Sequence, residues 1–107
     1  MTTMHPNPDY KIHREALLAA VNGPFFPDWE FQTIFGLTRT EIEDIAIAFA
    51  PDTPIAGDAA WALRGSIGNL IGYPHGQEAI WSEWISVTHS ELEDAFTRLI
   101  TMLGKTK

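Results

Sequence analysis

Two capping boxes constrain the fold of this chain more than any other feature. In a capping box, a Ser or Thr at the N-cap of a helix and a Glu or Gln three residues later each bond the other's backbone N–H. The pattern occurs at Thr38 and Glu41 and again at Thr88 and Glu91. Apolar residues at helical spacing follow both boxes, and their acidic first turns suit the positive end of a helix dipole. The sequence therefore predicts two well-defined helix starts.

Proline and glycine indicate where the other helices begin and end. Gly23 and Pro24 stop a first helix, Gly36 stops a short aromatic one, and Gly72 stops a long central one. Five of the predicted helices span residues 8–22, 27–35, 39–50, 77–85 and 89–103. The central helix begins between residues 54 and 58 and ends at residue 72. We expect an all-α fold over residues 1–107, a single-domain bundle of four to five helices with two short helices. The ends, residues 1–6 and 105–107, are expected to be flexible.

Glycines inside the central helix predict close packing. Gly65 and Gly68 each cost about 1 kcal/mol relative to alanine in a helix interior. That cost suggests that another element packs closely against this face of the helix. We therefore expect this helix to be buried at the centre of the fold, with Trp61 in the core.

The charge of the chain is negative and unevenly placed. Fourteen Asp and Glu residues face seven Lys and Arg residues, for a formal charge of −7. Twelve of those acids lie between Asp28 and Asp94, where Arg39 and Arg64 are the only cations, so that stretch carries −10. This sign argues against nucleic acid and anionic membranes as partners. It favours a basic partner, or alternatively reflects acids that collect at helix starts and on solvated faces.

Catalytic and metal-binding motifs are absent from the sequence. It contains no cysteine and no glycine-rich phosphate loop, and its four histidines are widely spaced. Ser66 lies in a Gly-Ser-Ile-Gly run, which is not a nucleophile elbow. We therefore expect no metal, no cofactor and no enzymatic activity, and a small hydrolase or metal-dependent enzyme ranks behind the two binding hypotheses given below. No apolar run reaches the roughly 18 residues of a membrane span, so we expect a cytoplasmic protein.

Two tryptophans form the most informative aromatic pair. Trp81 and Trp84 are three residues apart, so they share one face of a short helix. Facing inward, they would belong to the core. Facing outward beside Glu78 and Glu83, they would resemble the aromatic hot spot of a protein interface.

Two segments of the sequence carry a family resemblance. Residues 26–37, Phe-Pro-Asp-Trp-Glu-Phe-Gln-Thr-Ile-Phe-Gly-Leu, and residues 69–76, Asn-Leu-Ile-Gly-Tyr-Pro-His-Gly, accompany the capped helices. Together they resemble a group of small, acidic, helical immunity proteins of bacterial toxin systems, including contact-dependent growth inhibition. The resemblance covers residues 25–103. It implies a cytoplasmic inhibitor that binds a toxin domain, often a nuclease, and blocks its active site or substrate path.

These observations together predict a protein that acts by binding another protein. The first hypothesis is a monomeric immunity protein that neutralises a cognate toxin, and the alternative is a helical adaptor or regulatory module with no toxin partner. Exposed acids and aromatics on the short helices and loops are the predicted contacts: Asp28, Glu30, Asp52, Asp58, Glu78, Trp81, Glu83 and Trp84. Their carboxylates would pair with basic residues of the partner, and their rings would fill an apolar pocket.

Overall fold

Helices make up the regular structure of the chain. The structure, a computed structural model, describes residues 7–72, 76 and 78–104, apart from the side chains of residues 28–30, 34 and 78. Within that part of the chain there are six α-helices, a short 3-10 helix and no strand: α1 (Tyr10–Asn22), α2 (Asp28–Phe35), α3 (Arg39–Ala48), α4 (Gly57–Gly72), the 3-10 helix (Glu78–Ile80), α5 (Trp81–Trp84) and α6 (His89–Gly104). The all-α prediction is confirmed. The expected flexibility of residues 1–6 and 105–107 lies outside the described residues.

Both capping boxes form as predicted. The backbone N–H of Thr38 donates to Glu41 Oε1 at 2.8 Å, and the N–H of Glu41 donates to Thr38 Oγ1 at 3.1 Å. The second box, between Thr88 and Glu91, has the same two distances. Each box satisfies backbone donors that a helix start would otherwise leave without partners.

The first helix begins two residues later than predicted. The side chain of Asn7 accepts the backbone N–H of Asp9 at 2.9 Å, and the carbonyl of Asn7 accepts that of Tyr10 at 3.1 Å. Pro8 and Asp9 therefore form a turn, and the helix begins at Tyr10. An Asx turn of this kind competes with helical geometry at the same residues.

Helix α4 lies at the centre of the bundle, as predicted. It packs against α1, α2, α3 and α6. Its inner face buries Ala62, Leu63, Ser66, Ile67 and Leu70. Leu63, Ile67 and Leu70 are completely inaccessible to solvent and belong to one continuous apolar core shared with α1, α3 and α6.

Aromatic rings anchor α2 between longer helices. Phe35 lies edge-on to Phe26, with ring centroids 5.0 Å apart, and its centroid is 4.5 Å from that of Phe31. Gly36 ends α2 in the left-handed region at φ 72°, which glycine adopts without a steric penalty. Phe31 and Phe35 are both buried, so this short aromatic helix contributes directly to the core.

No helix in the described ranges is long and apolar enough to cross a lipid bilayer.

Candidate protein-binding surface

The predicted contact residues do not converge on one patch. Asp58 lies in the first turn of α4. Trp81 lies near the opposite end of that helix, because its ring is 5.5 Å from that of His89, and His89 Nε2 is 3.2 Å from the carbonyl oxygen of Ile71. At 1.5 Å per helical residue, Asp58 and Ile71 are about 20 Å apart along the axis. Asp58 and Trp81 therefore lie toward opposite ends of the bundle and not in one patch.

Exposed carboxylates without partners are distributed over that surface. Within the described part of the chain, six exposed acids form neither a side-chain hydrogen bond nor an ion pair: Glu43, Asp44, Asp52, Asp58, Glu83 and, on α6, Asp94. Three of these were predicted contacts, namely Asp52 in the α3–α4 loop, Asp58 on α4 and Glu83 on α5. The predicted residues Asp28, Glu30 and Glu78 lie in helices, but their side chains fall outside the described part of the structure.

The paired tryptophans are half-buried. Trp81 donates from its indole Nε1 to the carbonyl of Val87 at 2.9 Å and lies edge-on to Phe25, with centroids 6.0 Å apart. Trp84 also packs against the apolar core. Both rings help to attach α5 to the bundle. Packing therefore explains much of why tryptophan occurs at these two positions, without a binding partner.

A third tryptophan is exposed, against expectation. The prediction that Trp61 lies in the core is wrong, since 56% of its surface is accessible to solvent. The buried face of α4 is centred on Leu63 and Ile67, whereas Trp61 lies on its flank in line with Gly65 and Gly68. Glycines at these positions offer no side chain that could cover the indole. The spacing of Trp61, Gly65 and Gly68 in the sequence therefore already indicated that Trp61 would be exposed.

The exposed indole of Trp61 is nevertheless held in place. Its Nε1 donates a hydrogen bond to the carbonyl of Phe35 at 2.5 Å. The ring also covers Gly36, where an added Cβ would lie 3.0 Å from the same nitrogen. The end of α2 therefore orients the indole while much of it stays in contact with solvent.

Trp61 forms one wall of an open groove with a volume of about 330 Å³. Residues from α2, α4 and α6 line this Trp61 groove: Phe35, Trp61, Arg64, Gly65 and Phe96. Gly65 gives space for the ring of Phe35, because a Cβ on Gly65 would lie 2.9 Å from Phe35 Cδ1. The sequence-based prediction that a neighbour packs closely on these glycines is confirmed, and Phe96 similarly lies against Gly68.

The two cations of the acidic stretch have different roles. Arg39 donates hydrogen bonds to the carbonyls of Val21 and Phe26, and its guanidinium lies 4.4 Å from the centroid of Phe31. Arg64 is exposed and forms no hydrogen bond or ion pair with any described residue. Arg39 thus connects the α1–α2 segment to α3, while Arg64 lines the groove and has no described partner.

Shifted pKa values in the described chain have structural causes. Burial lowers the pKa of His13, and hydrogen bonds from Thr88 lower the pKa of Glu91. A hydrogen bond to Asp9 raises the pKa of Arg98. The described residues also contain no group of three His, Asp or Glu side chains that could hold a metal ion.

Comparison of the chain with protein-family models, with curated proteins and with solved structures finds no match in any of the three.

Proposed function

We propose that this chain is an immunity protein that binds a cognate bacterial toxin domain and blocks its active site or substrate path. The observation that carries the proposal is the set of exposed, unpartnered carboxylates on α3, α4, α5, α6 and the α3–α4 loop. Carboxylates in this setting contribute little to folding but create a negative field around the molecule. A nuclease domain binds its substrate through Lys and Arg, and so presents the complementary charge.

The distribution of these carboxylates favours steering of the whole molecule over a single ion pair. Asp58 and Glu83 lie toward opposite ends of α4, so a basic partner is attracted over a broad area. Such fields raise association rates by about 10-fold to 1,000-fold at low ionic strength. The proposed protein acts as a monomer in the cytoplasm, without catalytic activity and without a cofactor.

The proposal is tested by co-expression with the toxin domain encoded directly upstream of its gene. Cells that produce both proteins should grow, and the two should co-purify as a 1:1 complex. Persistent growth arrest while both proteins are soluble contradicts the proposal.

Electrostatic steering has its own test in the purified complex. Asp58→Lys and Glu83→Lys should each lower the association rate, and the salt dependence of that rate should become shallower. The double variant Thr97→Lys, Thr101→Lys adds the same charge on the exposed side of α6, so steering by the whole molecule predicts a similar loss of rate for it. If neither the reversals nor this double variant changes the association rate and its salt dependence, electrostatic steering is wrong.

The alternative function is a helical adaptor that binds a cellular protein other than a toxin. The Trp61 groove favours it, because an exposed aromatic groove between helices is a common docking site for peptide segments. A gene without a toxin neighbour, together with no protection on co-expression, would support the adaptor.

A further inference from the structure

We infer that the Trp61 groove binds a protein segment in which a large apolar side chain is followed directly by a carboxylate. This inference concerns a surface other than the unpartnered carboxylates, and it holds whether the chain is an immunity protein or an adaptor. It requires a groove that fits an apolar side chain, a rigid aromatic wall, and a cation that attracts the carboxylate of the ligand.

The shape of the groove comes from the side chains around Gly65. The ring of Phe35 occupies the space that a Cβ on Gly65 would need, and Trp61, Arg64 and Phe96 line the rest of the groove. The volume of about 330 Å³ is at the lower end of the range for ligand-binding pockets. It suits one large apolar side chain and not an extended ligand.

The aromatic wall is already ordered before a ligand binds. The hydrogen bond from Trp61 Nε1 to the carbonyl of Phe35 fixes the orientation of the indole, while 56% of the side chain remains exposed. An aromatic residue held in this way loses little conformational entropy when its free face is covered. Rigid, exposed tryptophans of this kind are frequent anchors in protein interfaces.

The positive charge of Arg64 beside the groove favours a carboxylate next to the bound apolar side chain. Arg64 is exposed and unpaired within the described chain, in a stretch that carries a net charge of −10. A guanidinium presents a planar pair of donors that matches a carboxylate. A Lys or Arg beside the bound apolar side chain would be repelled at this point. A second copy of the chain is also disfavoured, since two molecules of charge −7 repel each other.

The experiment is a titration followed by two-dimensional NMR, with acetylated and amidated dipeptides as probes. Phe-Asp carries the proposed pair of groups, Phe-Asn removes the charge, and Phe-Lys reverses it. Phe-Asp should shift the indole N–H of Trp61 and the amide of Gly65 in a saturable manner, with millimolar affinity. Phe-Lys should bind roughly five-fold more weakly or worse.

Variants assign this preference to the cation. Arg64→Gln should lower the affinity for Phe-Asp to that for Phe-Asn and leave the affinity for Phe-Asn unchanged. Arg14→Gln, an exposed arginine on α1, removes the same charge elsewhere and should change neither affinity.

Three results would overturn the inference. The first is the absence of a saturable shift at Trp61 and Gly65 up to about 20 mM Phe-Asp, well above the millimolar affinity expected for a ligand of this size. The second is equal affinity for Phe-Asp and Phe-Lys. The third is a shift of Trp61 that depends on protein concentration without any peptide, because that result would assign the groove to self-association.

Discussion

Replacing Gly65 with alanine tests the packing around the central helix. Alanine is preferred over glycine in a helix interior by about 1 kcal/mol, so propensity alone predicts a more stable protein. The new Cβ, however, would lie 2.9 Å from Phe35 Cδ1. That ring cannot move freely, since its centroid is 5.0 Å from that of Phe26 and 4.5 Å from that of Phe31. Overpacking of this kind costs about 1–3 kcal/mol.

The two effects of Gly65→Ala leave a net loss of about 1 kcal/mol. For a domain of this length, that loss lowers the thermal midpoint by about 4–8 °C. Urea unfolding measures the free energy directly. The matched control is Gly72→Ala at the last residue of α4, where an added Cβ meets no atom of the described neighbours within 4 Å. This control should be neutral or slightly stabilising.

A double-mutant cycle separates the steric effect from all others. In a Phe35→Leu background the ring that blocks the new Cβ is absent, so Gly65→Ala should stabilise the protein by up to about 1 kcal/mol. The coupling between the two substitutions should therefore exceed about 1 kcal/mol. If Gly65→Ala is as stable as the parent in the Phe35 background, or if the coupling is absent, close packing of Phe35 on α4 is not the reason for glycine at this position.

Four further predictions concern caps, pH and ion pairs. Thr38→Ala removes the N-cap of α3 and should cost about 1 kcal/mol in urea unfolding, and an unchanged midpoint would contradict the capping argument. Thr88→Ala keeps the backbone N–H that is the main cause of the lowered pKa of Glu91 and removes only the hydroxyl, so this pKa should rise only part of the way toward its ordinary value in an NMR titration. The native state binds fewer protons than the unfolded chain because burial lowers the pKa of His13. Stability should therefore fall as pH drops from about 6.5 toward the native pKa, and His13→Gln should flatten that slope in urea midpoints measured between pH 5 and 7.5. Arg98→Gln breaks an exposed bidentate pair with Asp9, so it should cost under about 1 kcal/mol and nothing measurable in 1 M salt.

The neutral form of His13 follows from the hydrogen bonding around it. The amide Nδ2 of Asn7 lies 2.7 Å from His13 Nδ1, and an amide nitrogen can only donate. Nδ1 therefore accepts, and Nε2 carries the proton. Nε2 is buried without a partner in the described structure, so a second proton on the ring would place a charge in an apolar site. Nothing in the sequence distinguishes this histidine from the exposed His89.

The solvent exposure of Trp61 and Trp81 was not predicted from the sequence. The helical period assigns a residue to a face of its helix, but whether that face is covered depends on which other helices pack there. Trp61 is on the flank of α4, beside a groove lined from α2 and α6, and the end of α2 holds its indole. Trp81 was equally compatible with core and surface, and the packing of α5 against Phe25 and Val87 makes it half-buried.

The sequence by itself determined the local structure of this protein. Capping boxes, prolines and glycines act through backbone hydrogen bonds and steric limits within a few residues, so the helix class and most helix boundaries could be predicted. The excess of acids was equally plain in the sequence. Only the tertiary structure decided which side chains are exposed together, because burial depends on contacts between helices distant in sequence. It brought Phe35, Arg64 and Phe96 around Gly65 to form a groove, and it placed Asp58 and Glu83 toward opposite ends of α4 instead of in one patch.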